Sequence, residues 1–462
     1  MKGLNREQKK AAGFTNGIAA VIAVPGSGKT LVMMERIGNL VKQYNVQPET
    51  IIGLTFNRNA AEQMRQRLVP VLGELAQRVT LSTIHSWCHY LLRTEGKVFE
   101  IISGKEQINL IRNLMKRKRL DLSVGTILSE ISLAKNNLIG VEEFRALYES
   151  DKTMIKVANI YESYEKEKAK KYLLDFDDLL LETYFLLSDN DAIREKYAGR
   201  YHHILIDEFQ DTNPVQLEII KLIVDQDNSD DKSYWIAGDD WQSIYSFAGA
   251  SVNNILNFQS TFSSSTLFIL NINYRSTPQI LKACQNLISH NVRKIEKTLK
   301  TDNPEGDEVI VLESSSEEGE ALCLVNEINE LVGQRGYQYK DIAVLYRANF
   351  QSRVVEETFA QMKIPYYIEN GLNFYQRSEV RYLLDYLRLI NDPDSEEGDE
   401  ALRSVLNVPN RYISRKFVQE LAEFSNKTNL HLYEGLKSMP VDLPYIRKNV
   451  KDFISFISPL AD

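Results

Sequence analysis

The sequence predicts an α/β fold of parallel sheets interrupted by all-helical insertions, and three observations predict it. Short apolar runs rich in β-branched residues recur at 18–24, 51–56, 79–83, 204–206, 234–238 and 266–272, which suits strands buried on both faces. Amphipathic stretches alternate with several of these runs, as crossover helices between parallel strands do. From 103 to 198, and again from 379 onward, the pattern is helical throughout. The expected division is 1–102 and 199–265 for a first sheet lobe and 103–198 for its helical insertion. A second, incomplete α/β lobe then takes 266–378, and the start of a second insertion takes 379–462.

Bulk properties exclude several classes. At 462 residues the chain is too long for one core. Its 43% hydrophobic and 26% charged residues are those of an ordinary globular protein, without a disorder or repeat signature. A net charge of −8 does not favour nonspecific attraction to nucleic acid, although a local basic groove can coexist with it. Three widely spaced cysteines, Cys88, Cys284 and Cys323, argue against a disulfide framework or a cysteine zinc site and suit a reducing, cytoplasmic setting. The run at 18–24 is too short to span a bilayer and lacks a signal-type leader, so neither membrane nor export is expected.

The first run opens into the most informative stretch, IAAVIAVPGSGKT at 18–30. After the strand, Pro25, Gly26, Ser27 and Gly28 make a turn whose backbone N–H groups can point at phosphate oxygens, and the following helix adds its positive end. Lys29 is placed to reach β- and γ-phosphates and Thr30 to hold Mg²⁺ through its hydroxyl. Ala23 and Val24 enter the loop, with Ala23 standing where the usual pattern begins with glycine. Ahead of it, LNREQKKAA at 4–12 reads as a short helix. Its Gln8 carries the donor and acceptor pattern that pairs with adenine, against the bland reading of a surface glutamine.

Further along, Asn57 or Asn59 can cap the helix of NRNAAEQMRQRL. His85, Cys88 and His89 fall at helical spacing, but with no carboxylate nearby in sequence they read as core or nucleic-acid contacts rather than metal ligands. The basic runs at 112–119 and 166–171 read first as solvated helix faces, with nucleic-acid backbone contact the alternative. In HHILIDEFQD an apolar strand delivers Asp207 and Glu208. Beside a phosphate loop, the first carboxylate suits Mg²⁺ and the second suits deprotonation of an attacking water. Gln242 follows the strand of YWIAGDD and can sense a γ-phosphate. Tyr245 and Phe247 divide evenly between core packing and base stacking. Arg275, in NYRS, is the best candidate for a guanidinium reaching nucleotide phosphates from a second lobe. There, DIAVLYR, a helix and IPYYIEN read as strand, helix and edge strand.

Taken in order, LNREQ, AVPGSGKT, LTFNRNAAEQM, LSTIHSWC, LIDEFQD, AGDDWQSIYSFAGA, NINYRS, VLYRANFQSR and IPYYIENGLNFYQRSEV resemble the motifs of superfamily 1 DNA helicases of the UvrD/Rep/PcrA type. The likeness covers essentially the whole chain. It implies two RecA-like P-loop NTPase domains with inserted helical subdomains, ATP and Mg²⁺ as cofactors, and 3′ to 5′ movement on single-stranded DNA with unwinding at junctions with duplex. Carried over by residue, Gln8 contacts adenine and Tyr274 stacks on it. Lys29 and Thr30 bind phosphate and Mg²⁺, Asp207 and Glu208 are metal ligand and base, and Gln242 and Arg275 sense the γ-phosphate. Phe56, Asn57, His85, Tyr245 and Phe247 line the strand channel.

There are departures. Phe247 and Ala248 replace the family's Trp-Arg, Leu31 a polar or basic residue, Trp241 an acidic one, and Tyr382 a common Asp. The last two family motifs, one with a second phosphate-sensing arginine, are not found. ATP binding is expected to survive and hydrolysis to fall about 10³-fold, the scale of an arginine finger. The alternative reading is therefore a nucleotide- and DNA-binding module without efficient turnover.

Overall fold

The computed structural model describes residues 3–118, 122–224, 232–368 and 378–461. It divides into two compact units, 1–309 and 310–462, each described by itself.

The strands of the first unit are β1 (Gly17–Ala23), β2 (Ile51–Thr55), β3 (Thr80–Thr83), β4 (Glu100–Ile101), β5 (Leu173–Leu174), β6 (His203–Ile206), β7 (Ser233–Gly238) and β8 (Thr266–Leu270). Six form one parallel sheet in the order β3-β2-β6-β7-β1-β8, while β4 and β5 pair separately. Every residue of β2, β6 and β7 is buried, because helices cover both faces. On one face lie α1 (Arg6–Ala12), α2 (Lys29–Lys42) and α3 (Arg58–Leu72), contributing Ala11, Met33, Ile37, Met64 and Leu68. On the other, Trp87 and Leu91 of α4 (Ile84–Thr94) pack with Leu179, Leu180 and Ile219.

Two expected boundaries move. The run at 266–272 was expected to open the second lobe, yet β8 pairs in parallel with β1, from Ala19 opposite Thr266 to Ala23 opposite Leu270. Strand pairing is non-local, and nothing in the run itself announces its partner. The helical stretch 103–198 also divides. Ile111, Leu114, Ile131, Phe144 and Tyr161 form a core of their own, whereas Leu187 and Tyr197 belong to the sheet's core. Residues 119–121, at the end of the first basic run, lie outside the described residues.

In the second unit, Glu317–Gly333 and Ser352–Gln361 enclose a small core of Val325, Ile328, Phe359 and Ile364. The expected strands at 341–347 and 364–370 form no ladder among the described residues. Ile342, Val344 and Ile364 pack on the helices, while Leu345 and Tyr367 stay exposed. The apolar pattern was legible, but the partner that makes a strand was not. Residues 369–377, within IPYYIENGLNFYQRSEV, lie outside the described set. The helices from Ser378–Asn391 to Pro444–Ala461 share a core of Leu389, Leu402, Phe417, Leu421 and Phe453. One begins inside NDPDSEEGDE, expected as a solvated linker. Ser395 Oγ accepts the Gly398 N–H at 3.0 Å, and Glu396, Glu397 and Asp399 occupy the first turn of Glu396–Val405. Hydroxyl cap and acidic first turn are a helix start. No helix among the described residues is long and apolar enough to cross a membrane.

Candidate nucleotide and nucleic-acid site

In a parallel sheet the carboxyl ends of all strands share one edge, and there the predicted residues gather. After β1, Val24 and Pro25 lead to Gly26 (φ 66°) and Gly28 (φ 82°), left-handed positions that suit glycine. A Cβ on Gly26 would lie 2.8 Å from Asn273 Nδ2 and 2.9 Å from Arg275 Cβ, so no side chain fits. Ser27 Oγ is buried without a hydrogen-bond partner, beside the N-terminus of α2, where anions are favoured.

Lys29 Nζ lies 2.9 Å from Glu208 Oε2, and Thr30 Oγ1 donates to Asp207 Oδ2 at 2.8 Å. Glu208 has left-handed backbone (φ 52°, ψ 45°), a conformation costing a non-glycine residue roughly 1 kcal/mol or more. Burial and the adjacent Glu208 push the Asp207 carboxyl up to about 6. The same two causes push Asp211 up to about 7. Burial acts on Glu208 too, but the Lys29 ammonium, the Gln210 amide and Arg275 outweigh it and hold that carboxyl below its usual range. For Lys29, burial is outweighed by Glu208, Asp207 and Asp239, and its pKa is raised. Three carboxylates thus face two cations, Lys29 and Arg275, and the cluster is short of positive charge. A divalent cation fits: the Thr30 hydroxyl and Asp207 carboxylate are hard oxygen donors, a partial set that water and phosphate oxygens complete around Mg²⁺.

The NYRS segment is strapped to the loop. Asn273 Nδ2 donates to the Pro25 carbonyl at 2.6 Å, and its Oδ1 accepts from the N–H groups of Arg275 and Ser276, each at 2.7 Å. Tyr274 N–H donates to the Gly26 carbonyl at 3.0 Å, and its hydroxyl accepts from Asn5 Nδ2 at 2.7 Å. Arg275 thus lies within the first compact unit, 1–309, although it falls in the stretch from 266 expected to open a second lobe. The cause is the pairing of β8 with β1, which sets NYRS beside the loop. Gln8, 3% exposed, donates to the Ser27 carbonyl at 2.9 Å and accepts from the Asn5 N–H at 2.9 Å. It braces the loop from α1.

At the end of β7, Gln242 Nε2 donates to Asp239 Oδ2 at 2.7 Å. Gln210 joins this strand end to the Asp207-Glu208 pair: its Nε2 donates to Glu208 Oε2 at 2.9 Å, and its Oε1 accepts from the Asp239 N–H at 2.9 Å. A Cβ on Gly238 would lie 2.9 Å from that Oε1, so glycine permits the link. Sequence reasoning missed Gln210, Asp239 and Asn273. For Asp239 the signal was present, since it follows an apolar strand as Asp207 does.

Phe56, Tyr245 and Phe247 form an aromatic row, with ring centroids 4.9 Å apart for the first two and 6.0 Å for the last two. Phe247 is 68% exposed. Phe56 and His85 also line a narrow cleft with Asp207, Glu208 and Asp211, and burial holds the His85 imidazole below its ordinary pKa. Asn57 Oδ1 accepts the Ala60 N–H at 2.8 Å and caps α3. Cys88 is buried, its thiol pushed up to about 12 by burial, and His89 packs edge-on against Phe99. Among the described residues, the group of histidine, cysteine and carboxylate side chains close enough to share an ion is Glu165, Asp175 and Asp178. Lys135 and Lys168 already bridge it.

A strand that runs through a glycine loop into a helix, with a carboxylate-bearing strand two places away in the same parallel sheet, defines a RecA-like phosphate-loop nucleotide-binding fold. Residues 4–263 match the UvrD/REP helicase N-terminal domain, and residues 268–450 match the UvrD-like helicase C-terminal domain. The chain belongs to the UvrD/REP helicase family. It is 33% identical over 448 residues to a protein of Bacillus subtilis (strain 168) named ATP-dependent DNA helicase PcrA, covering 95% of this chain and 60% of that one. A Staphylococcus epidermidis protein of the same name is 34% identical over 467 residues, covering 99% and 62%. One from Leuconostoc citreum is 33% identical over 468 residues, covering 98% and 61%. The chain spans about 60% of the length of these curated relatives.

Proposed function

We propose that the chain is the ATP-hydrolysing, strand-binding part of a DNA helicase that moves 3′ to 5′ along single-stranded DNA and opens duplex at the junction. The observation that carries this is the cleft in which Phe56 and His85 share walls with Asp207 and Glu208. Groups that can touch a nucleic-acid strand thereby sit within one residue layer of groups that can act on a triphosphate. Names of the relatives, each an ATP-dependent DNA helicase, support the same reading.

Lys29 and the amides of 26–30 take the β- and γ-phosphates. Thr30 and Asp207 would hold Mg²⁺, which screens phosphate charge when bound. Glu208 accepts the proton of the attacking water, and the phosphate oxygens compete for the Lys29 ammonium that now holds it. As that ammonium turns to phosphate, the carboxylate's proton affinity rises and it becomes a better base. Gln242 and Arg275 report the γ-phosphate. Gln8 and Tyr274, joined through Asn5, frame the adenine. Tyr245 and Phe247, with Phe56, stack on bases, which every base permits, so binding is sequence-tolerant. Asn57 adds a polar contact from the α3 cap. The cytosol is the compartment that fits such a substrate.

Steady-state ATP hydrolysis with and without single-stranded oligonucleotides tests this reading. Stimulation by DNA that vanishes in Lys29→Ala and Glu208→Gln supports it. ATP binding with no turnover under any DNA condition contradicts the motor. Displacement of a streptavidin block from the 5′ but not the 3′ end of an oligonucleotide tests the polarity.

A further inference from the structure

Lys297 lies far in sequence from every motif and is fully buried, its side chain 0% exposed. Its ammonium lies 2.6 Å from Asp239 Oδ1, 2.6 Å from Asp240 Oδ1 and 3.3 Å from the Ala23 carbonyl. The Trp241 ring stands 4.5 Å from the same nitrogen. Asp240 is held from its other side, where Oδ2 accepts the Ile295 N–H at 2.7 Å. One cation therefore ties together the end of β1, just ahead of the glycine loop, the end of β7, and the segment at 295–297.

We propose that Lys297 is a positioning residue that fixes the Asp239 carboxylate so that Gln242 is held ready for a γ-phosphate. The inference rests on the reading of Gln242 as the γ-phosphate sensor. Asp239 has two oxygens with different tasks. Oδ1 takes the ammonium at 2.6 Å, in a charge-assisted bond, and accepts the Trp241 N–H at 3.2 Å, and together these fix the carboxylate's rotation. Oδ2 is thereby turned to accept from Gln242 Nε2 at 2.7 Å, and the backbone N–H of the same residue holds Gln210, which holds Glu208. Without the ammonium, two adjacent buried carboxylates repel, and Asp239 must rotate away from Asp240. That rotation removes the acceptor that orients Gln242. Trp241, at a position where an acidic residue is common in the family, completes the enclosure with an aromatic face instead of a third negative charge.

The test compares affinities of the full chain for a non-hydrolysable ATP analogue and for ADP, both with Mg²⁺. A residue that acts only on stability shifts both affinities together or neither. Gln242→Ala is expected to cut the analogue-to-ADP affinity ratio at least 10-fold. Lys297→Met is expected to cut it equally, with ADP affinity within 3-fold of the parent, and the double variant is expected to lose no more. Should Lys297→Met fail to fold, Lys297→Met with Asp240→Asn relieves the buried repulsion while still removing the charge-assisted bond to Asp239 Oδ1, and carries the same expectation. A folded Lys297 variant that keeps the ratio while Gln242→Ala loses it overturns the inference, as do losses that add in the double variant. If Gln242→Ala itself keeps the ratio, the sensor assignment beneath the inference falls and takes it down.

Discussion

Two of the buried clusters of lysines and carboxylates in the first unit, one in the helical insertion and one at the glycine loop, are built to opposite ends. In the helical insertion, Lys135 reaches Glu165, Asp175 and Asp178 at 2.8, 2.8 and 2.6 Å. Lys168 reaches Glu165 and Asp175 at 3.0 Å each and Asp178 as well. The Tyr164 hydroxyl adds a bond to Asp175 at 3.0 Å. Burial alone would raise the Asp175 carboxyl, but Lys135 and Lys168 drive it well below the carboxylate range. At the sheet edge one ammonium, Lys29, is bonded to one carboxylate, while Asp207 and Asp211 are pushed up towards neutrality. The first cluster also sets three carboxylates against two cations, but each carboxylate is bonded to both ammoniums, and the neighbouring Asp177 is pushed up to about 6 by burial and by Asp175. In the second, Lys29 is bonded to Glu208, Glu208 is strained, and the buried Ser27 hydroxyl is left without a bond. A saturated network holds a fold together; an unsaturated one awaits a ligand.

Removing one partner from each cluster should separate these roles. Lys135→Met leaves buried carboxylates without their cation and is expected to cost roughly 3–5 kcal/mol of stability, read by denaturant unfolding, while the nucleotide affinity of the folded fraction stays within twofold. Equal stability in the variant would break the comparison. Glu208→Gln is expected to do the reverse, leaving unfolding temperature unchanged or higher and lowering ATP hydrolysis by about 10²–10⁴-fold, the range for a general base. A large loss of stability there would mean that the sheet-edge cluster is also scaffold.

Smaller effects sharpen the picture. Phe56→Ala or Tyr245→Ala is expected to weaken single-stranded DNA binding by about 1–3 kcal/mol per lost stack, measured by fluorescence anisotropy, with ADP affinity unchanged. A pH-dependent effect, read as a slope, belongs to His203 on β6, whose Nδ1 pairs with Ser233 Oγ at 2.8 Å. Burial, with Arg36 beside it, pushes its pKa down to about 4. An unfolded imidazole titrates near ~6.5, so between the two values the unfolded chain binds more protons. Stability is present above that window and falls as pH drops through it, by up to about 1.4 kcal/mol per pH unit. His203→Asn should flatten the slope of stability against pH between those values.

What was legible in the sequence was local. The glycine loop, Lys29, Thr30 and the Asp207-Glu208 pair follow from residues adjacent in the chain, and the fold brings them within hydrogen-bond reach. The aromatic row was legible only as an even choice between core packing and base stacking, and its ring contact across nearly 190 positions was not legible at all. What stayed hidden was pairing between distant segments. No feature of 266–270 says that it lies beside β1, so the bonds from NYRS to the glycine loop were not foreseen. Lys168 sits in a basic run expected to face solvent, yet it is 2% exposed because Asp175 and Asp178 come back to meet it. Lys297 carried no signal at all, being one lysine among several at 282–300. SEEGDE was misread because an acidic, serine-led stretch serves equally as a linker and as the first turn of a helix.

The central claim is that the unsaturated cluster at the ends of β1 and β6 is completed by a magnesium-bound nucleoside triphosphate. Titration calorimetry of the chain with MgATP measures this directly. One site per chain is expected, lost in Lys29→Ala and retained in Lys135→Arg. No binding by the parent chain, or binding that Lys29→Ala leaves intact, would contradict it.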